Sequence, residues 1–194
     1  MKTVEIKGTL RDASGTKEAN KLRKEGKVPA VLYGGEENIH FSVDRIPFEK
    51  IVNTPKVFFI EIDIDGKKYK TILKDVQYHP VNDAPMHADF QQIFDDKKAI
   101  VKLPVELTGI STGVVKGGKL RLVTRRLTVK GLPTDLPESI VVDITNVDLG
   151  QSVKVKDVDV KGVEVLDAPN AVIVQVKMSR AAMANKAAAE AEEA

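Results

Sequence analysis

VFFIEIDIDGKKYKTILKDV, residues 57–76, is the stretch that decides the fold. Val57 to Ile64 and Lys67 to Val76 are two strand-like runs, and only Asp65-Gly66 separates them. That dipeptide tolerates the two consecutive positive-φ positions of a type I′ turn, whose twist suits the flanking strands, so the stretch reads as a β-hairpin. Working back from it, Ile39, Phe41 and Val43 alternate with polar residues, and Pro47 is expected to open a brief helix through about Val52. Val28 to Tyr33 is a short apolar run that stops at Gly34-Gly35, the pattern of a strand and a turn. Lys17 to Glu25 reads as a short helix: Ala19 and Leu22 share a side, Gly26 suits the position beyond its end, and Pro29 prevents continuation. Arg23 and Lys24 fall in its last turn, where they complement the helix dipole. Val4, Ile6, Gly8 and Leu10 alternate with Glu5, Lys7, Thr9 and Arg11, a half-buried strand with Arg11 on its polar side. Working forward, a loop bracketed by Pro80 and Pro85 leads to a strand-like Met86 to Ile93. The expectation is a closed sheet or barrel with two small helices.

Asp95-Asp96-Lys97-Lys98 is a polar joint without apolar periodicity, and a domain boundary is expected there. Beyond it, short Val-rich segments (Ile100–Leu107, Leu120–Val123, Leu127–Val129, Ile140–Ile144, Val172–Val176) alternate with Gly, Pro and Asp turns, which predicts a nearly all-β second domain. From Ser179 onward Ala, Lys and Glu dominate without an apolar stripe. The fold class expected is therefore mainly β. A β-barrel with short helices over residues 1–95 precedes a β-rich domain over 96–178 and a flexible or helical tail over 179–194.

Composition narrows the function classes. No cysteine occurs among the 194 residues, which removes disulfides, thiolate zinc sites and a cysteine nucleophile. Aromatics make up 5% with no Trp, a poor basis for an aromatic-lined substrate pocket. The opening MKTVEIKGTL lacks the apolar core of a signal peptide, and no segment approaches the roughly 20 apolar residues of a membrane span. A soluble cytoplasmic protein is expected. Net charge is only +2, yet residues 1–30 hold eight Lys/Arg against four Asp/Glu. A local basic surface suffices for the electrostatic part of RNA binding.

The chemical motifs are mostly negative. Gly113 to Lys119, GVVKGGK, nearly completes a phosphate-binding P-loop, but Leu120 stands where the magnesium-binding hydroxyl belongs and the following residues look like strand. A glycine turn between strands is expected. His40, His79 and His87 lack the spacing of paired ligands on a helix, so no metal site is expected. His87 and Asp89, two apart on a strand, share a face. They are either a surface pair without a task or part of a site, and no activated nucleophile accompanies them. Arg11, Arg23 and Lys24, with Tyr33 nearby in the chain, suit phosphates and sugar edges, because guanidinium forks bind phosphate bidentately and a phenol can meet a ribose. The same residues also fit a solvated strand face, a helix-end charge and a core tyrosine.

Three stretches carry a resemblance. KLRKEGKVPAVLYGG (21–35) and KDVQYHPVNDAPMHADFQQI (74–93) resemble the two signatures of the bacterial large-subunit ribosomal protein twenty-five family, which includes the general stress protein CTC. LPVELTGISTGVVKGGKL (103–120) resembles the C-terminal part of its long, two-domain members. The resemblance covers almost the whole chain apart from the tail. It implies an N-terminal β-barrel that binds the loop E region of 5S ribosomal RNA. Matching motif by motif, it implies RNA contacts at Arg11, Arg23, Tyr33, His87 and Asp89, with Lys24 as an auxiliary phosphate contact and His79 as a weaker candidate whose alternative role is to shape its loop. The implied partners are 5S ribosomal RNA and neighbouring large-subunit ribosomal proteins, with no cofactor, membrane or small-molecule substrate. Two other readings are a barrel module serving a tRNA synthetase, for which no nucleotide-binding signature exists here, and a stress-induced protein acting away from the ribosome.

Overall fold

The computed structural model describes residues 3–11, 15–35, 37–158, 160 and 162–179. The expected tail beyond Ser179 lies outside these residues. The chain divides into two compact units, one running up to Val101 and taking in Gly131–Glu138, the other holding Lys102–Lys130 and the chain from Ser139.

In the first unit the order is β1 (Thr3–Leu10), α1 (Thr16–Lys24), β2 (Lys27–Tyr33), β3 (Ile39–Asp44), α2 (Arg45–Val52), β4 (Phe59–Ile64), β5 (Lys67–Tyr78) and β6 (Pro85–Gln92). Six strands close a barrel in the order β1-β3-β2-β6-β5-β4. Two seams are parallel, β2 with β6 and β1 with β4, and the rest antiparallel. The Asp65-Gly66 hairpin forms as its chemistry requires, with φ of 49° and 85° at the two residues. The Asp63 carboxylate accepts the Gly66 N–H at 3.0 Å. Helix α1 ends where Gly26 turns to φ 78°. Helix α2 starts at Arg45, two residues before the expected Pro47. A proline in the first helical turn costs nothing there, since N–H groups in that turn have no intrahelical partner.

The interior is filled by alternate residues of each strand: Ile6, Val28, Ala30, Leu32, Phe41, Val43, Ile60, Ile62, Ile64, Ala88 and Phe90. Phe48 of α2 joins them, with Phe90 lying 5.6 Å from Phe41 and 6.1 Å from Phe48 between ring centroids. Inward residues alternate along the strands except where β5 bulges between Leu73 and Asp75, so their neighbours in sequence stand on the outer wall.

The second unit is β-rich, as expected. Its elements are β7 (Ala99–Thr108), whose first three residues belong to the first unit, α3 (Thr112–Val115), β8 (Lys119–Leu122), β9 (Arg126–Gly131), whose last residue does too, β10 (Ile140–Asp143), β11 (Ser152–Lys154), a 3₁₀ turn (Val155–Asp157), β12 (Glu164–Val165) and β13 (Val172–Lys177). They form a four-stranded sheet β10-β7-β9-β12 and a three-stranded sheet β11-β13-β8. Strands β11 and β12 escape sequence reading because two or three residues show no period. The GVVKGGK segment differs from the expected plain turn between strands: Gly113 to Val115 belong to the short helix α3, Lys116-Gly117 make the turn, and Lys119 opens β8. A Cβ on Gly118 would stand 2.6 Å from the Gly113 carbonyl, and Gly113 itself lies against the Asp148–Leu149 backbone. These glycines permit close packing rather than a phosphate cradle.

Candidate RNA-binding wall of the barrel

Cross-strand register assembles the candidate site. The Arg11 N–H donates to the His40 carbonyl at 2.9 Å, extending the β1–β3 ladder by one residue. His40 stands opposite Val31, Val31 opposite Asp89, and Asp89 opposite Asp75. Arg11, His40, Val31, Asp89 and Asp75 therefore form one row around the outer wall. The row crosses four strand-to-strand steps of about 4.8 Å, roughly 19 Å in all. His87 sits two residues from Asp89 on β6, and Tyr33 sits two residues from Val31 on β2, opposite Gln91. Tyr33 and Asp89 are thus diagonal neighbours, within reach of an aromatic side chain.

Arg23 reaches this wall from α1. Its Nε donates to the Met86 carbonyl at 3.0 Å, one residue before His87, and its Nη1 to Asn20 Oδ1 at 2.9 Å. Two of five guanidinium donors are so used, and the others remain for a ligand. Helix α1 buries no residue fully, so this bond matters to how the helix is held. Arg11 is stranger. Its Nε is buried and has no hydrogen-bond partner among the described residues, although an unpaired donor on a charged group is costly.

His87 Nδ1 and Asp89 Oδ1 are 2.8 Å apart, with the side chains 27% and 34% exposed. The short distance ties the imidazole to the carboxylate and leaves Nε2 as the other polar atom of the ring. Asp89 Oδ2 stays open as an acceptor. The Tyr33 hydroxyl has its pKa raised, first by burial and then by the negative charges of Asp89 and Asp75. It is a phenol held neutral, able both to donate and to accept.

Lys24 is the last residue of α1 and is exposed. His79 lies apart from the row, in the loop between β5 and β6. Its N–H donates to the Ala84 carbonyl at 2.8 Å, its carbonyl accepts from Asp83, and its Nδ1 accepts the Val81 N–H at 3.3 Å. Those bonds give it a loop-shaping role.

The sequence pattern of the Ribosomal L25p family matches residues 6–90, and that of the Ribosomal protein TL5 C-terminal domain matches residues 98–180. Large ribosomal subunit protein bL25 of Phocaeicola vulgatus is 44% identical over 189 residues, covering 94% of this chain and 96% of that protein. The protein of the same name from Bacteroides fragilis is 41% identical over 194 residues, covering 97% and 99%. That of Porphyromonas gingivalis is 41% identical over 184 residues, covering 94% and 96%. The chain belongs to the ribosomal L25p family. As an L25p member it is a ribosomal protein and not an enzyme. No helix among the described residues is long and apolar enough to cross a membrane.

Four neighbours on this L25p wall escaped sequence reasoning: His40, Asp75, Gln77 and Gln91. In sequence His40 offers only the pattern of a candidate metal ligand. Asp75 faces outward because the β5–β6 register shifts between Leu73 and Asp75, and a bulge of that kind leaves no periodic trace. Gln77 pairs with His87, and Gln91 with Tyr33. The antiparallel β5–β6 seam makes the first pair neighbours, and the parallel β2–β6 seam, a contact between distant segments, the second.

Proposed function

We propose that this chain, a structural protein of the large ribosomal subunit, binds 5S ribosomal RNA in its loop E region through the outer wall of its barrel. The observation that carries the reading is the joining of Arg11, Tyr33, His87 and Asp89 across β1, β3, β2 and β6, with Arg23 fastened beside them. Loop E is a helical internal loop of non-Watson–Crick pairs, and RNA of that kind is recognised by shape, 2′-hydroxyls and backbone. Arg11 and Arg23 neutralise phosphates, with Lys24 adding a more distant charge. Tyr33 meets a ribose hydroxyl. Asp89 accepts from a base amino group or a ribose hydroxyl, and His87 donates nearby. A carboxylate facing RNA is repelled by phosphate unless it meets a donor, so the pair serves specificity more than affinity.

In this reading residues 1–95 form the RNA-binding domain. Residues 96–178 form a second domain that meets neighbouring ribosomal proteins, and 179–194 form a tail. The protein is ribosome-associated and cytoplasmic. The test is fluorescence anisotropy with a loop E fragment at several salt concentrations. Arg23→Ala should weaken binding and flatten its salt dependence by about 0.9 in slope for one lost phosphate. Unchanged affinity at every salt concentration removes Arg23 from the site.

A further inference from the structure

In the second unit, β13 and β8 pair antiparallel with Lys177 directly opposite Lys119 and Gln175 opposite Arg121. Opposed residues share a face, so Lys119, Arg121 and Lys177 stand on one side. Leu120, Leu122, Val174 and Val176 turn to the other, where the two valines are buried. Ser152 of β11, opposite Gln175, extends the same face. Lys119, Arg121 and Lys177 are exposed, as is Arg125 just beyond β8. None of the residues paired across the face is acidic. None of the four cations has an ion-pair partner among the described residues, whereas nearby Lys116 is held by Asp148 at 2.7 Å.

Like charges directly opposite on neighbouring strands destabilise the pair. Charge on β8 has an ordinary explanation, since a lysine or arginine on an edge strand deters edge-to-edge association. That explanation does not reach Lys177, which sits on the central strand β13. An extended anion would relieve the Lys119–Lys177 opposition and use the edge charges as well. The paired positions hold no aromatic ring on which a base could stack. The recognition is therefore of backbone charge, not of bases. We propose that this face is a second RNA-binding site, taking the phosphate backbone of ribosomal RNA without reading its sequence.

The test uses the full chain carrying R11A and R23A, so that the barrel wall contributes little. The probe is a fluorescent RNA duplex of arbitrary sequence. Adding K119Q, R121Q and K177Q should weaken binding by roughly fivefold or more and reduce the salt slope by about 2.7, about 0.9 for each of the three contacts. Unchanged affinity and slope would overturn the proposal, and so would a variant that merely self-associates, which would leave edge protection as the only role. A second measurement needs no substitution at the face: acylation of lysines in the unaltered chain. RNA should slow modification at both Lys119 and Lys177, and equal labelling with and without RNA would also overturn it.

Discussion

Replacing Arg11 by Met separates the cost of the site from its use. Arg11 Nε is buried with no partner among the described residues, and an unsatisfied buried donor on a charged group costs about 1–3 kcal/mol. Methionine keeps an unbranched apolar stem of similar reach and removes the orphaned donor. Because Arg11 as a whole is only half-buried, the gain should be the lower end, about 1 kcal/mol in the free protein. Binding should move the other way. A charge-assisted hydrogen bond is worth about 1.5–3 kcal/mol, so the affinity for loop E RNA should fall roughly 10- to 100-fold. Urea unfolding of the full chain reads the first quantity and anisotropy the second. A more stable protein that binds worse is the signature of a residue kept for its ligand. An Arg11→Met protein that is less stable by more than about 1 kcal/mol and binds RNA undiminished would refute the reasoning.

Asp89→Asn should lower the raised pKa of Tyr33 toward its ordinary value by removing one of the negative charges that lift it, read as an earlier tyrosinate absorbance in a spectrophotometric titration; an identical curve would mean the two side chains do not interact. The sign for stability follows from the same shift. The folded phenol ionises later than the unfolded one, so its contribution is intact below about pH 10 and lost above it. The urea midpoint should fall across that range, and less so in Tyr33→Phe. Phe90→Ala should cost about 3–5 kcal/mol, since Phe90 is fully buried against Phe41 and Phe48, and a loss under about 1 kcal/mol would place the core elsewhere. His79→Ala should leave the salt slope of RNA binding unchanged while Lys24→Ala reduces it by less than about 0.9, and a large effect at His79 would reverse their assigned roles.

Strand positions were legible wherever alternation was long and turns were chemically explicit: Asp65-Gly66 announces its hairpin, and Gly34-Gly35 ends β2. Short elements such as Glu164–Val165 carried no pattern to read. The start of α2 was misjudged because a proline marks the first turn of a helix without marking its first residue. At the candidate site, residue types were legible and neighbours were not. That Val31 separates His40 from Asp89 depends on two seams joining segments far apart in sequence. The partnerless Arg11 Nε is a fact of packing that no sequence pattern contains.

The central claim is that one wall of the barrel faces 5S RNA. It is tested most directly by photo-crosslinking in assembled ribosomes, with a photoreactive residue at Val31, midway along the row, or at Glu61 on β4, three strands away in either direction around the barrel. The account predicts that position 31 joins to loop E nucleotides and position 61 does not. Crosslinks to 5S RNA from position 61 with none from position 31 would contradict it.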